Sequence, residues 1–187
     1  NPKQHLVSAR SEIVREYLSP ERILWTSGAG IVNAEQFLLP GNGQADLVGS
    51  NLCSMNGDQE NPPSILLDFG KELHGGMELV TGAFEGKDPI RVQITLGESV
   101  TEAMSTVGSS SATNDHAIRD FTISLPWLGK IEIGNSGFRF ARITLLDPDR
   151  TLLLKEIRAI SIYRDIPWTG SFKSNDERLN QIWETGA

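Results

Sequence analysis

The sequence predicts a mainly β protein, an antiparallel β-sandwich of jelly-roll type followed by a short terminal helix. Three observations carry this. From Ser64 onward, runs of strand length recur between turn residues. Inside two of them apolar and polar residues alternate: Val92, Ile94 and Leu96 against Arg91, Gln93 and Thr95, then Phe121, Ile123 and Leu125 against Asp120, Thr122 and Ser124. A period of two buries one face and wets the other, which is the habit of antiparallel layers. No helical periodicity interrupts these runs.

Taken in order, Leu6, Ala9, Ile13, Val14 and Tyr17 fall at helical spacing and Ser19-Pro20 stops them. A leading helix or extended arm is expected over 1–22. Arg22-Ile-Leu-Trp-Thr26 reads as a first strand and Ser27-Gly-Ala-Gly30 as its turn, while Ile31 to Leu39 fits neither pattern. Gln44 to Pro63 is rich in Gly, Ser, Asn and Pro and reads as loop with one edge strand near Leu52. The sandwich, expected over 23–165, then draws its strands from Ser64–Asp68, Gly76–Thr81, Pro89–Leu96, Arg119–Leu125, Gly129–Ile133, Phe138–Leu146 and Leu152–Tyr163.

Ser174, with Glu177 three residues on, forms a capping box, and Asp176 and Glu177 place negative charge where the helix dipole favours it. Leu179, Ile182 and Trp183 follow at i, i+3 and i+4, an apolar stripe that needs a partner surface. The expectation is that 166–187 is a linker and the first helix of a further domain, so that the chain is the first part of a longer protein.

The net charge of −7 offers no basic footprint for nucleic acid, and no apolar run is long enough to span a membrane. A single cysteine, Cys53, excludes an internal disulfide and a cysteine-based zinc site; it reads as a small buried apolar residue. With three histidines, His5, His74 and His116, no metal cluster or catalytic triad is indicated, and no phosphate-binding loop, dinucleotide fingerprint or nucleophile elbow occurs.

Four stretches remain to be weighed. In Asp68-Phe-Gly-Lys-Glu-Leu-His-Gly-Gly76 a strand end, a connection and a Gly-Gly turn are expected, with Glu72 and His74 exposed or facing a neighbouring domain. Asn114-Asp-His-Ala-Ile-Arg-Asp120 sits at the end of a small, polar loop; Asn114, Asp115, His116, Arg119 and Asp120 suit sugar hydroxyls or calcium, against the plainer reading of a loop tied by an Asp115–Arg119 pair. Trp127 suits stacking on a sugar ring, against a place in the core. Glu98 and Glu102, four apart, have the chemistry of an acid/base pair but no evident desolvating pocket, and are set aside.

Five stretches in order resemble the β-rich region that precedes the catalytic domain in α-L-rhamnosidase-type glycoside hydrolases. They are Leu67 to Gly76, Gly97 to Glu102, Thr113 to Phe121, Gly137 to Ile143, and Gly170-Ser-Phe through Asp176 to Trp183. The resemblance implies a galactose-binding-like sandwich packed against an (α/α)6 barrel that carries the catalytic acids, so no catalytic residue transfers to this chain. It implies as partners the chain's own C-terminal catalytic domain, met through Glu72, His74, Leu179, Ile182 and Trp183, and rhamnose-containing glycans. Calcium is the one candidate cofactor. A periplasmic or secreted location follows from the plant glycans such enzymes act on.

Overall fold

The computed structural model describes residues 13–27, 29–47, 51–109, 118–166 and 169–186. Two compact units are distinguished, one spanning 14–163 and the other made of the terminal segments. The described strands are β1 (Ile13–Leu18), β2 (Arg22–Ser27), β3 (Ile31–Val32), β4 (Cys53–Asn56), β5 (Ser64–Thr81), β6 (Ile90–Gly97), β7 (Asp120–Leu125), β8 (Lys130–Leu145) and β9 (Thr151–Arg164). A short 3-10 helix, Ala34–Leu38, fills the ambiguous stretch after β3, and two α-helices are present, α1 (Val100–Met104) and α2 (Glu177–Gly186).

The fold is the expected antiparallel β-sandwich. Its layers are joined by two long strands, β5 and β8, which pair with each other along most of their length. The first half of β5 (64–68) and the last part of β8 (140–145) lie with β2, β6 and β7. The second half of β5 (75–81) lies with β9, β4 and β3 on one side and the first part of β8 on the other. β1 also pairs with β9. Between the layers, Ile65, Leu67, Met77 and Leu79 of β5 meet Val92, Ile94, Leu96, Ile143, Leu154 and Ile157, all essentially dry. At roughly 1.5–3 kcal/mol for each large apolar side chain buried, this cluster is the main source of stability.

The expected Gly-Gly turn at Gly75-Gly76 is corrected: the chain passes through it as a single strand. Gly75 adopts φ +152°, and a Cβ there would collide with the Ile160 carbonyl oxygen of β9. A Cβ on Gly76 would collide with Ile133 O of β8 on the other side. The glycines are there so that β5 can be approached closely from both flanks where it crosses between layers.

Three further features have local causes. Of the two readings for the leading segment, helix or extended arm, Ile13 to Leu18 takes the extended one as β1, whose alternate residues point out, while 1–12 lie outside the described residues; β-branched Ile13 and Val14 suit a strand once β9 offers a ladder. Helix α1 was not expected. Ser99 caps it, accepting from Glu102 N at 3.2 Å, while Glu102 Oε2 reaches back to Glu98 N at 2.8 Å.

In the second unit, α2 starts two residues later than expected. Asp176 is its cap, accepting from Arg178 N at 2.9 Å, and Ser174 instead accepts from Asp176 N in the turn before it.

Candidate functional site

Where β5 crosses between layers its register slips. Asp68 pairs with Phe140 and Leu73 with Phe138, so residues 69–72 all lie opposite the single Arg139. A four-against-one bulge cannot hold its shape through ladder bonds alone. Asp68, completely buried at its base, supplies the missing ties: Oδ1 accepts from Arg139 Nε and from Gly70 N, each at 2.8 Å, and Oδ2 accepts from Arg139 Nη2 at 3.1 Å and from Arg22 Nη2. The Arg139 guanidinium, helped by Gly70 N–H and Arg22, overcomes the burial that opposes it and pulls the Asp68 carboxyl down to about 2. Asp68 is therefore held ionised and fully bonded, the reverse of a proton donor.

Beside this bulge lie two of the stretches singled out in the sequence, that of Glu72 and His74 and that of Glu98 and Glu102. Glu72 and His74 are exposed, as expected. With Lys71, Leu73, Glu16, Ser161, Ile162 and Tyr163 they line an open depression, in which Tyr163 Oη donates to Glu16 Oε1 at 2.9 Å. The Glu72 and Glu98 carboxylates share the space above Gly137. Glu102, once a candidate partner for Glu98, is occupied in capping α1. The rim thus offers a rigid, exposed set of donors and acceptors of both charges, suited to contact with another polar surface.

Of the sugar-contact candidates, the described ones, Arg119, Asp120 and Trp127, are each bonded within the sandwich domain and do not converge. Asn114, Asp115 and His116 lie outside the described residues. Arg119 is almost wholly buried, donating from Nη1 to Leu96 O at 3.1 Å and Glu102 O at 3.3 Å, so it clamps α1 onto β6. Asp120 accepts from Gln93 Nε2 at 2.9 and 3.1 Å. Trp127 stands beyond the opposite end of β7 from Asp120, roughly 20 Å away along an extended strand. Its indole N–H donates to Phe84 O at 2.9 Å, and Lys87 Nζ lies 4.9 Å from the ring centroid. Among the described residues no group of three or more His, Cys, Asp or Glu could hold a metal ion.

Sequence reasoning missed Arg22 and Arg139 as partners of Asp68, and missed Glu16 and Tyr163. A charged residue inside the apolar run Ile65-Leu-Leu-Asp-Phe69 was the available signal for a buried ion pair. In the second unit, Trp183 stacks on Phe172 at 6.4 Å, while Leu179 and Ile182 are 47 % and 59 % exposed, so the stripe on α2 exists with its apolar side chains largely uncovered.

No family model matches the sequence, and no curated protein matches it. Among solved structures, the chain is similar to the rhamnosidase from Klebsiella oxytoca with rhamnose bound, at 14% identity and a TM-score of 0.56, covering 92% of this chain and 34% of that one. It is also similar to truncated AlyQ with CBM32 and alginate lyase domains, at 16% identity and a TM-score of 0.50, covering 86% and 37%. The chain spans about a third of the length of either. These likenesses show the fold: a galactose-binding-like β-sandwich, the architecture that the resemblance to the rhamnosidase β-rich region implied.

Proposed function

We infer that this chain is a non-catalytic accessory domain of an α-L-rhamnosidase-type glycoside hydrolase, expected at 23–165, with 166–187 leading into a helical catalytic domain that it packs against and supports. The observation that carries this is where the polar groups go. Asp68, Arg119, Asp120 and the indole N–H of Trp127 all make hydrogen bonds to other groups of the sandwich domain. Groups occupied in this way hold a scaffold together and are not poised for a ligand. The exposed rim with Glu72 and His74, and the ridge of Leu179, Ile182 and Trp183, supply the contact surfaces that a supporting role requires. Such enzymes act on plant glycans, and a periplasmic or secreted location belongs to the same reading.

Titration calorimetry of the chain with rhamnose, with and without calcium, tests it. The scaffold reading predicts no saturable heat at millimolar sugar and no hydrolysis of an aryl rhamnoside. Saturable binding at millimolar or lower concentration, weakened by chelator, would replace it with an autonomous, calcium-assisted carbohydrate-binding module.

A further inference from the structure

On the outer face of the layer that holds β6, β7 and the last part of β8, Arg142 of β8, Thr95 of β6 and Asp120 of β7 stand directly opposite one another in a cross-strand row. Side chains in such a row have Cβ atoms about 5 Å apart. On the other flank of Arg142 stands Leu66, which packs with Ala103, Met104 and Phe140, so α1 roofs this part of the sheet. Thr95 is completely buried, and its Oγ1 makes no hydrogen bond. The Nε of Arg142 is buried as well, and it too has no acceptor. Arg142 Nη1 donates to Met104 O at 3.1 Å, and none of the ion pairs among the described residues includes Arg142. The Asp120 carboxylate is drawn aside to Gln93 through both oxygens.

Two unbonded buried polar atoms on facing residues are unusual, since a buried polar group left without a partner is costly and native structures rarely keep one. Their chemistry says what is missing. The guanidinium Nε–H only donates, and a threonine hydroxyl donates readily to an oxygen placed beside it. One acceptor between them satisfies both. A partly buried guanidinium that has no ion-pair partner among the described residues also favours a negative acceptor over a neutral one.

We propose that Arg142 and Thr95 form a binding site for one small oxyanion, a carboxylate or an inorganic anion, which accepts from Arg142 Nε–H and Thr95 Oγ1–H beneath α1. The site is independent of the accessory-domain reading, and neither stands or falls with the other.

The test is titration of the whole chain, at fixed ionic strength, with acetate in one arm and inorganic phosphate in the other, followed by thermal shift and by the Arg142 Nε–H resonance in NMR. The expected result is saturable stabilisation by at least one of the two, the responding arm identifying the source. Thr95→Val, which removes the hydroxyl at constant volume, and Arg142→Lys, which keeps the charge but loses Nε, each weaken that binding at least tenfold. Thr95→Val folds normally, with an unchanged or higher melting temperature in the absence of anion, because it removes an unbonded hydroxyl. No saturable response in either arm overturns the proposal. So does equal binding by the Thr95→Val variant, or a crystal grown from acetate in which an ordered water alone bridges the two residues.

Discussion

Replacing Asp68 by asparagine keeps the shape of the side chain at the base of the β5 bulge and removes its charge. The carboxylate is fully buried, accepts from Arg139, Arg22 and Gly70 N–H, and is pulled down to about 2. Against an unfolded value near 3.9, a shift of that size corresponds to about 2.5 kcal/mol of stability at pH 7. The sign follows from the lowered folded value: the contribution is fully present above about pH 4, is lost as pH falls through the folded pKa, and is under about 0.5 kcal/mol by pH 2. Asparagine also turns an N–H2 toward one of the arginine donors, which brings the expected loss at pH 7 to about 3 kcal/mol, the lower end of what breaking a buried ion pair costs. Urea unfolding of parent and Asp68→Asn at pH 7, 4 and 2.5 measures it. The gap should be about 3 kcal/mol at pH 7 and should shrink toward pH 2.5. A gap below about 0.5 kcal/mol at pH 7, or one that does not change with pH, would refute the reasoning that the charge holds the bulge.

The remaining predictions concern single positions. Gly75→Ala places a Cβ against Ile160 O at a φ that only glycine accepts, and should cost at least about 3 kcal/mol in urea unfolding or prevent folding; a cost below 1 kcal/mol would mean that β9 does not approach β5 so closely. Burial pushes the Cys53 thiol up to about 12, so labelling by a thiol reagent at pH 8 should occur only at the rate of global unfolding, and fast labelling of the folded protein would contradict its place in the core. Ser99→Ala should lower stability by about 1 kcal/mol through loss of the α1 cap, and a null result by chemical denaturation would show that α1 is held by Arg119 and Arg142 instead.

What was legible in the sequence is what local spacing encodes. Val92, Ile94 and Leu96 announced β6 because they alternate with polar residues, of which Arg91 and Gln93 reach solvent while Thr95 is covered, and in β7 Phe121 and Ile123 alternate with the exposed Thr122 and Ser124. β5 resisted such a reading: Ile65, Leu66, Leu67, Asp68 and Phe69 are all buried, because α1 and the arginines cover the side that alternation would leave wet. The Ser99 to Glu102 capping box was visible, but five residues are too few to show an apolar period, and the two glutamates were weighed for chemistry instead. The rim could be located from Asp68 to Gly76 as an odd stretch. Its architecture could not, since Asp68 finds Arg22 and Arg139 46 and 71 residues away in the chain. Likewise nothing local distinguishes Trp127 bonded to Phe84 O from Trp127 waiting for a sugar.

The central claim is that Arg119, Asp120 and Trp127, nominated for sugar contact, already serve the sandwich. Heteronuclear NMR of the chain during a rhamnose titration tests this most directly, because the indole N–H of Trp127 and the side-chain amide of Gln93 report separately from the two ends of β7. The account predicts that neither resonance moves as sugar reaches tens of millimolar and that the Trp127 N–H exchanges slowly with deuterated solvent. Saturable movement of either resonance, with rapid exchange of the indole proton, would contradict it.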